Sequence, residues 1–368
     1  MSIALVSTDR LLSRRSVALA QLLASTPSVV SAESPQGLPL RDRLARPLTD
    51  LRLSVTDRCN FRCPYCMPRS KLGPVVAPMQ RSRMLDFDEL VRIASAFVEL
   101  GVTKIRITGG EPLLRRDLAQ LVKMLSSLSV DDLCLTTNGS LLKGQARALV
   151  DAGLRRVTVS LDALDEPTFR RMTDSQTSIA KVLEGIDMAR RCGLEPVKIN
   201  MVVQRGVNEH SVLPMAQWAR SEGLELRYIE YMDVGRTNGW REEDVFTAAE
   251  IRDKIHQQWP VEPVETADTP ATAQRFRYRD GQGEFGIIAS VSRPFCRGCT
   301  RARVSSYGEL YPCLFASTGL DLATPLRHGQ ELRPLITKLW RQRGDRYSEL
   351  RSDVPSYSPR PEMSAIGG

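Results

Sequence analysis

Six short apolar runs, with helical patterns between them, constrain this chain more than any other feature. They read LRLSV (51–55), KIRIT (104–108), LCLTT (133–137), RRVTVSL (155–161), VKINMVV (197–203) and ELRYIEYM (225–232). In DFDELVRIASAFVELG, residues Leu90, Ile93, Ala94, Phe97 and Leu100 fall at helical spacing and Gly101 ends the pattern. SIAKVLEGIDMARRCG repeats it, with Gly193 as the expected C-cap. Strand and helix alternating this often predict a parallel sheet with helices outside. Six units fit a partial barrel open on one side, or an open doubly wound sheet. In both, chemistry gathers at the C-terminal ends of the strands.

The polar motifs sit at those ends. Cys59 follows the first run and Gly109-Gly110-Glu111-Pro112 the second. Thr136, Thr137 and Asn138 close the third, Ser160 and Asp162 the fourth, and Met232 and Asp233 the sixth. Near residue 260 the Pro- and Thr-rich stretch QQWPVEPVETADTPATAQ marks a linker or domain edge. This divides the chain into an extension (1–40), the alternating region (41–260) and a shorter Arg-rich region (261–368). The extension reads as flexible, with a transit peptide as the alternative. No apolar run approaches the roughly 18 residues of a membrane span. A net charge of +8 points to an anionic partner, or to a mildly basic surface without a target.

Eight cysteines in 368 residues, without a clear secretion signal, argue against a disulfide framework. Cys59, Cys63 and Cys66 stand together with no histidine near; the chain has only His210, His256 and His328. Structural zinc wants four ligands, whereas three thiolates on a 4Fe–4S cluster leave one iron open to hold a reactant. A zinc site borrowing a distant ligand is the alternative. Cys296, Cys299 and Cys313 form a second trio, which fits another such cluster or a zinc ribbon recruiting His328. Cys134 and Cys192 stand apart and read as small buried hydrophobes. Arg301 and Arg303 point to one side if extended, and guanidinium forks grip phosphate. Taken alone, such a pair is more often a solvated face. Arg52, Arg106 and Lys198 interrupt apolar strands, so each needs a partner or an opening. The terminal Gly367-Gly368 reads on its own as a frayed end.

The Cys-x3-Cys-x2-Cys spacing at 59–66, with Tyr65 before the last cysteine and GGEP at 109–112, resembles the radical S-adenosylmethionine (SAM) superfamily. With FCRGCTRARVSSYGELYPCLF, RYIEYMDVG, FGIIASVS and the terminal SAIGG, the chain from about residue 41 onward resembles the GTP 3′,8-cyclases of molybdenum cofactor biosynthesis. The resemblance implies an incomplete (β/α)6 TIM-like barrel with a C-terminal α+β extension carrying a second Fe–S cluster. It implies a lyase that converts GTP to 3′,8-cyclo-7,8-dihydroguanosine triphosphate through a 5′-deoxyadenosyl radical acting at ribose C3′. Cys59, Cys63 and Cys66 would hold one 4Fe–4S cluster, and Cys296, Cys299 and Cys313 the other. SAM would contact Tyr65, Gly110, Ser160 and Met232, although core packing is the simpler reading of Met232 alone. GTP would contact Arg52, Arg106, Thr136, Lys198 and the Arg301-Ala302-Arg303 run, and Gly367 and Gly368 would reach the active site. The implied partners are a reductant, a downstream cyclic pyranopterin monophosphate synthase and a second copy in a homodimer. Neither membrane nor nucleic acid is expected, and the implied compartment is the cytoplasm, or an organellar matrix if the extension is a transit peptide. Ala365, where the family commonly has an aromatic, and a basic, Pro-rich stretch at 69–84 depart from its pattern. Competing readings are a radical SAM enzyme acting on peptide or tRNA, and a zinc-stabilised nucleic-acid-binding protein.

Overall fold

The structure is a computed structural model and describes residues 39–69, 83–235, 237–265, 272–351 and 360–367. The expected extension up to residue 38, most of the stretch at 69–84 and Gly368 lie outside the described residues. The six apolar runs form six parallel strands: β1 (Asp50–Ser54), β2 (Lys104–Thr108), β3 (Asp132–Thr137), β4 (Arg156–Ser160), β5 (Lys198–Val203) and β6 (Glu225–Glu230). Between them run α1 (Phe87–Glu99), α2 (Leu118–Ser126), α3 (Leu142–Asp151), α4 (Glu166–Thr173), α5 (Ile179–Arg191) and α6 (Val212–Glu222), followed by α7 (Ala248–Gln258). Asp86 and Glu89 cap α1 reciprocally, which fixes where that helix begins.

Alternation decides the two faces. Leu51 and Leu53, Ile105 and Ile107, Val157 and Val159, and Ile199 and Met201 are fully buried in one core. The intervening side chains, Arg52, Arg106, Thr158, Ser160 and Asn200, line a single cavity. A sheet face on which neighbouring strands all reach one cavity is curved around it, and these units form the incomplete barrel. Parallel strands buried on both faces read as continuous apolar runs. Here polar residues recur at every second position because the inner face lines a lumen.

The chain beyond residue 260 extends the same sheet at both ends. β7 (Val261–Pro263), β8 (Gln274–Tyr278) and β9 (Glu284–Ile288) add outside β6, with β9 parallel to it. β10 (Arg301–Val304) pairs parallel with β1, and β11 (Glu309–Tyr311) and β12 (Leu320–Asp321) follow antiparallel. Among the described residues the sheet has twelve strands and does not close: β12 and β7 are its two edges. α8 (Ala323–Arg327), α9 (Arg333–Gln342) and the terminal turn α10 (Met363–Ile366) complete the fold. No helix among the described residues is long and apolar enough to cross a membrane.

Candidate active site

The lumen holds a cavity of about 250 Å³. On one side strand register sets a row of like charges: Arg52 of β1 stands opposite Arg303 of β10 and Arg106 of β2. One step along the strands, Asp50 stands opposite Arg301 and Lys104. Like charges side by side on a sheet are unfavourable. Asp50 accepts from Lys104 at 2.7 Å, and Arg106 donates to Thr136 Oγ1 at 2.8 Å and Thr158 Oγ1 at 3.1 Å. Arg52 has no such outlet: its Nε is buried without a hydrogen-bond partner. Burial, then the charges of Arg303, Arg301 and Arg106, hold its guanidinium well below the usual arginine range. Burial and Arg301 bring Arg303 down to about 10. An anion with several oxygens is the ligand such a row lacks.

The first cysteine trio lies on the loop after β1. Backbone N–H groups of Cys66 and Met67 both donate to the Cys63 carbonyl at 2.9 Å, coiling the loop so that its thiols sit in each other's fields. Burial pushes Cys59 up to about 11. Burial, then Cys59 and Glu362, push Cys66 up to about 12, against a backbone N–H of Ser364. Burial, then Cys66, Asp162 and Cys59, raise Cys63 well above the usual thiol range. The GGEP loop braces this loop from below: Gly110 N–H donates to Thr56 O at 2.8 Å and Glu111 N–H to Arg58 O at 2.6 Å. A Cβ on Gly110 would lie 2.3 Å from Arg58 O, so only glycine lets the two loops approach this closely. Tyr65 OH donates to Asp162 Oδ2 at 2.7 Å, and Tyr65, Ser160 and Met232 line the lumen cavity.

The second trio faces the same cavity, which Cys296, Cys299 and Cys313 all line. Burial alone would raise Cys299, but Arg301 and Arg343 bring it down to about 6. Burial pushes Cys313 up to about 11. The histidines are engaged elsewhere: His328 Nδ1 lies 2.8 Å from Thr324 O, His256 Nδ1 accepts from Val261 N–H at 3.1 Å, and His210 Nε2 lies 3.1 Å from Thr168 Oγ1. Among the described residues no three His, Cys, Asp or Glu side chains are placed to hold a single metal ion. Two trios, each without a fourth ligand, have the donor set of iron–sulfur clusters with an open iron.

The described end of the tail reaches the end of β2 and Arg303 of β10. Gly367 adopts φ +72°, and a Cβ there would lie 2.4 Å from Thr108 Cγ2 at the end of β2. Its carbonyl accepts from Arg303 Nη1. Asp233, after β6, accepts from Tyr347 OH at 2.5 Å and from Arg351 Nε at 2.9 Å. It also pairs with Arg360 at 3.5 Å, where the described part of the tail begins.

The structure thus gathers Arg52, Arg106, Thr136, Arg301, Arg303, Tyr65, Ser160, Met232 and the second trio around one cavity. Cys59, Cys63, Cys66 and Gly110 lie outside its lining, on the adjoining loops. Two expected contacts stand apart. Ala302 is fully buried in the hydrophobic core, because its neighbours Arg301 and Arg303 take the lumen face. Lys198 is held by Glu225 at 2.6 Å, outside the cavity lining, and burial together with Arg227 lowers its ammonium to about 8. Cys134 and Cys192 are buried. Lys104 and Arg227 also line the cavity. The rule that selected Arg106, a charge within an apolar strand, finds both when applied to every strand.

The family described as the Radical SAM superfamily matches residues 53–219, and the one described as Molybdenum Cofactor Synthesis C matches 224–349. The chain is 52% identical over 359 residues to the GTP 3′,8-cyclase of Acidothermus cellulolyticus, covering 90% of this chain and 99% of that protein. Identity to the GTP 3′,8-cyclase of Xanthomonas axonopodis pv. citri is 51% over 332 residues, covering 90% and 99%. Identity to that of Staphylococcus aureus is 46% over 318 residues, covering 85% and 93%. Among solved structures, Streptococcus suis SuiB bound to S-adenosylmethionine matches with a TM-score of 0.54 at 15% identity, over 100% of this chain and 82% of that one. SuiB bound to its precursor peptide SuiA gives 0.57 at 15%, over 98% and 82%. At that identity the likeness is one of fold.

Proposed function

Since the chain belongs to the GTP 3′,8-cyclases of the radical SAM superfamily, we propose that its lumen holds GTP between two iron–sulfur sites and cyclises it to (8S)-3′,8-cyclo-7,8-dihydroguanosine 5′-triphosphate. The observation that carries the substrate is the in-register row Arg303–Arg52–Arg106, in which Arg52 Nε is buried without a partner. A triphosphate brings enough acceptors to satisfy the row and enough charge to offset it. Superfamily membership implies one 4Fe–4S cluster and SAM. Cys59, Cys63 and Cys66 would hold that cluster, and Tyr65, Gly110, Ser160 and Met232 would contact SAM. Cys296, Cys299 and Cys313 would hold a second cluster whose open iron takes the guanine. When bound, the first cluster and SAM would supply a 5′-deoxyadenosyl radical able to take hydrogen from ribose C3′; closing the C3′–C8 bond to the 7,8-dihydro product then takes one further electron, from a reductant, and one proton.

The chain's own residues act by placement. Arg52, Arg301 and Arg303 fix the phosphate end, while Arg106 and Thr136, joined by a 2.8 Å hydrogen bond, orient the next part of the nucleotide. Gly367 gives its carbonyl to Arg303, which lines the lumen, and Gly368 would extend the tail toward it. Ile229, Val234 and Ile288 are apolar members of the cavity lining and would keep water from reacting carbons placed against them. A reductant, a downstream synthase that consumes the product, and a homodimer complete this reading.

The test is anaerobic reconstitution with iron and sulfide, followed by assay with dithionite, SAM and GTP. About eight irons per chain and GTP-dependent 5′-deoxyadenosine with a cyclised nucleotide are expected. About four irons, or 5′-deoxyadenosine formation indifferent to GTP, would overturn the two-cluster cyclase.

A further inference from the structure

Two buried arginines hold the second cysteine trio from behind. Arg46 lies just before β1 and is 2% exposed; Arg343 follows α9 and is 3% exposed. Both bind Asp42 Oδ2, Arg46 through Nε at 2.6 Å and Arg343 through Nη1 at 3.2 Å. Arg46 Nη1 also donates to the carbonyls of Cys296 and Asp345, each at 2.8 Å. Arg343 Nη1 donates to the Cys299 carbonyl at 2.8 Å. Arg343 lies over the Trp340 ring, 4.4 Å from its centroid, and Trp340 Nε1 donates to the Arg46 carbonyl at 3.3 Å. Two of the three cysteine carbonyls are therefore gripped by one closed cluster.

The cluster is not electrically closed. Two guanidinium groups face one carboxylate in the interior, which is unfavourable unless an anion lies alongside. Arg46 Nη2 and Arg343 Nε are buried without hydrogen-bond partners, and both side chains line the cavity beside Cys296, Cys299 and Cys313. A cluster carried by three thiolates supplies both the negative charge and the sulfur acceptors that these donors lack.

We propose that Asp42, Arg46 and Arg343 are positioning residues for an iron–sulfur cluster on Cys296, Cys299 and Cys313. Asp42 holds the two arginines, their carbonyl bonds fix the ligand loops, and their free N–H groups tune the cluster through charge and hydrogen bonds to sulfur. The inference rests on the second-cluster reading above. Hydrogen bonds to sulfur and local charge set such a cluster's potential, and partners behind the ligands govern its retention.

The test uses the full chain with Cys59, Cys63 and Cys66 all replaced by Ser, so that the remaining iron reports the second trio. This parent should hold about four irons. In it, Arg46→Met should lose at least half of that iron, or lower the midpoint of what remains. A tenfold change in the reduction equilibrium corresponds to about 59 mV for one electron. Arg46→Lys and Arg343→Lys keep the charge but not the forked grip on Asp42 and the backbone carbonyls, and should keep iron while altering the electron paramagnetic resonance signal. Unchanged iron, signal and midpoint in all three variants, each folded by circular dichroism, would overturn the proposal. If Arg46→Met does not fold, an unchanged signal and midpoint in both lysine variants overturn it. A parent without iron would instead remove the second-cluster reading, and this inference with it.

Discussion

Glu111 is fully buried, and every neighbour its carboxylate meets is a donor. Leu113 N–H reaches it at 3.0 Å, Thr137 Oγ1 at 2.7 Å and Asn138 N–H at 2.7 Å, tying the GGEP loop to the end of β3. Burial outweighs these donors and pushes its carboxyl from 4.5 up to about 7. Between those values the folded chain keeps a proton that the unfolded chain has released, so stability falls as pH rises across that window. The size of the effect is on the order of 3 kcal/mol. Burial pushes Asp162 up to about 6 and adds in the same direction. In cluster-free protein, Glu111→Gln should flatten the fall in urea midpoint between pH 4.5 and 7. A slope equal to that of the parent would mean that another group carries it.

At the scale of elements, two loops build the first trio's site by approaching within backbone contact. Gly110→Ala would press a methyl against Arg58 O at 2.3 Å, and a carbonyl in a braced loop cannot rotate aside as a long side chain would. We expect a loss of about 1–3 kcal/mol in urea denaturation, together with reduced iron at the first trio after reconstitution. Full iron with full stability would show that the loops separate freely. The strands around these loops were legible as short apolar runs with helical spacing between them. β2 matches KIRIT residue for residue, while β6 stops at Glu230 rather than at 232, where that carboxylate turns to the backbone N–H groups of Ala248, Val291 and Ser292. Local pattern does not say which strand lies beside which. The Arg-Ala-Arg motif was visible, but its seat next to β1, which makes the arginine row, depends on a pairing across about 250 residues. Arg46 and Arg343 were illegible for the same reason: each sits in a polar stretch, and only the closure of distant segments buries it.

At the scale of the molecule, the described residues between 261 and 367 continue the barrel's own sheet. They supply β9 against β6 and β10 against β1, so both flanks of the six-stranded core are covered by chain that follows it. Without them, the outer hydrogen-bonding edges of β1 and β6 would be open, and exposed edges invite pairing with other chains. Arg46, in the segment before β1, would also lose the carbonyls of Cys296 and Asp345 and keep only Asp42. The sequence boundary near 260 is a change of composition, and the sheet continues across it. The prediction is that the whole chain unfolds in one step, with far-ultraviolet circular dichroism and tryptophan fluorescence giving coincident urea transitions, and that a fragment ending at residue 260 shows no cooperative transition. Trp340 lies beyond that boundary, and Trp218, Trp240 and Trp259 before it, so fluorescence samples both parts. Two resolved transitions, with the fragment reproducing one of them, would establish two independently folding domains. The arginine row would then be assembled at a domain interface, and GTP binding would have to drive the two parts together.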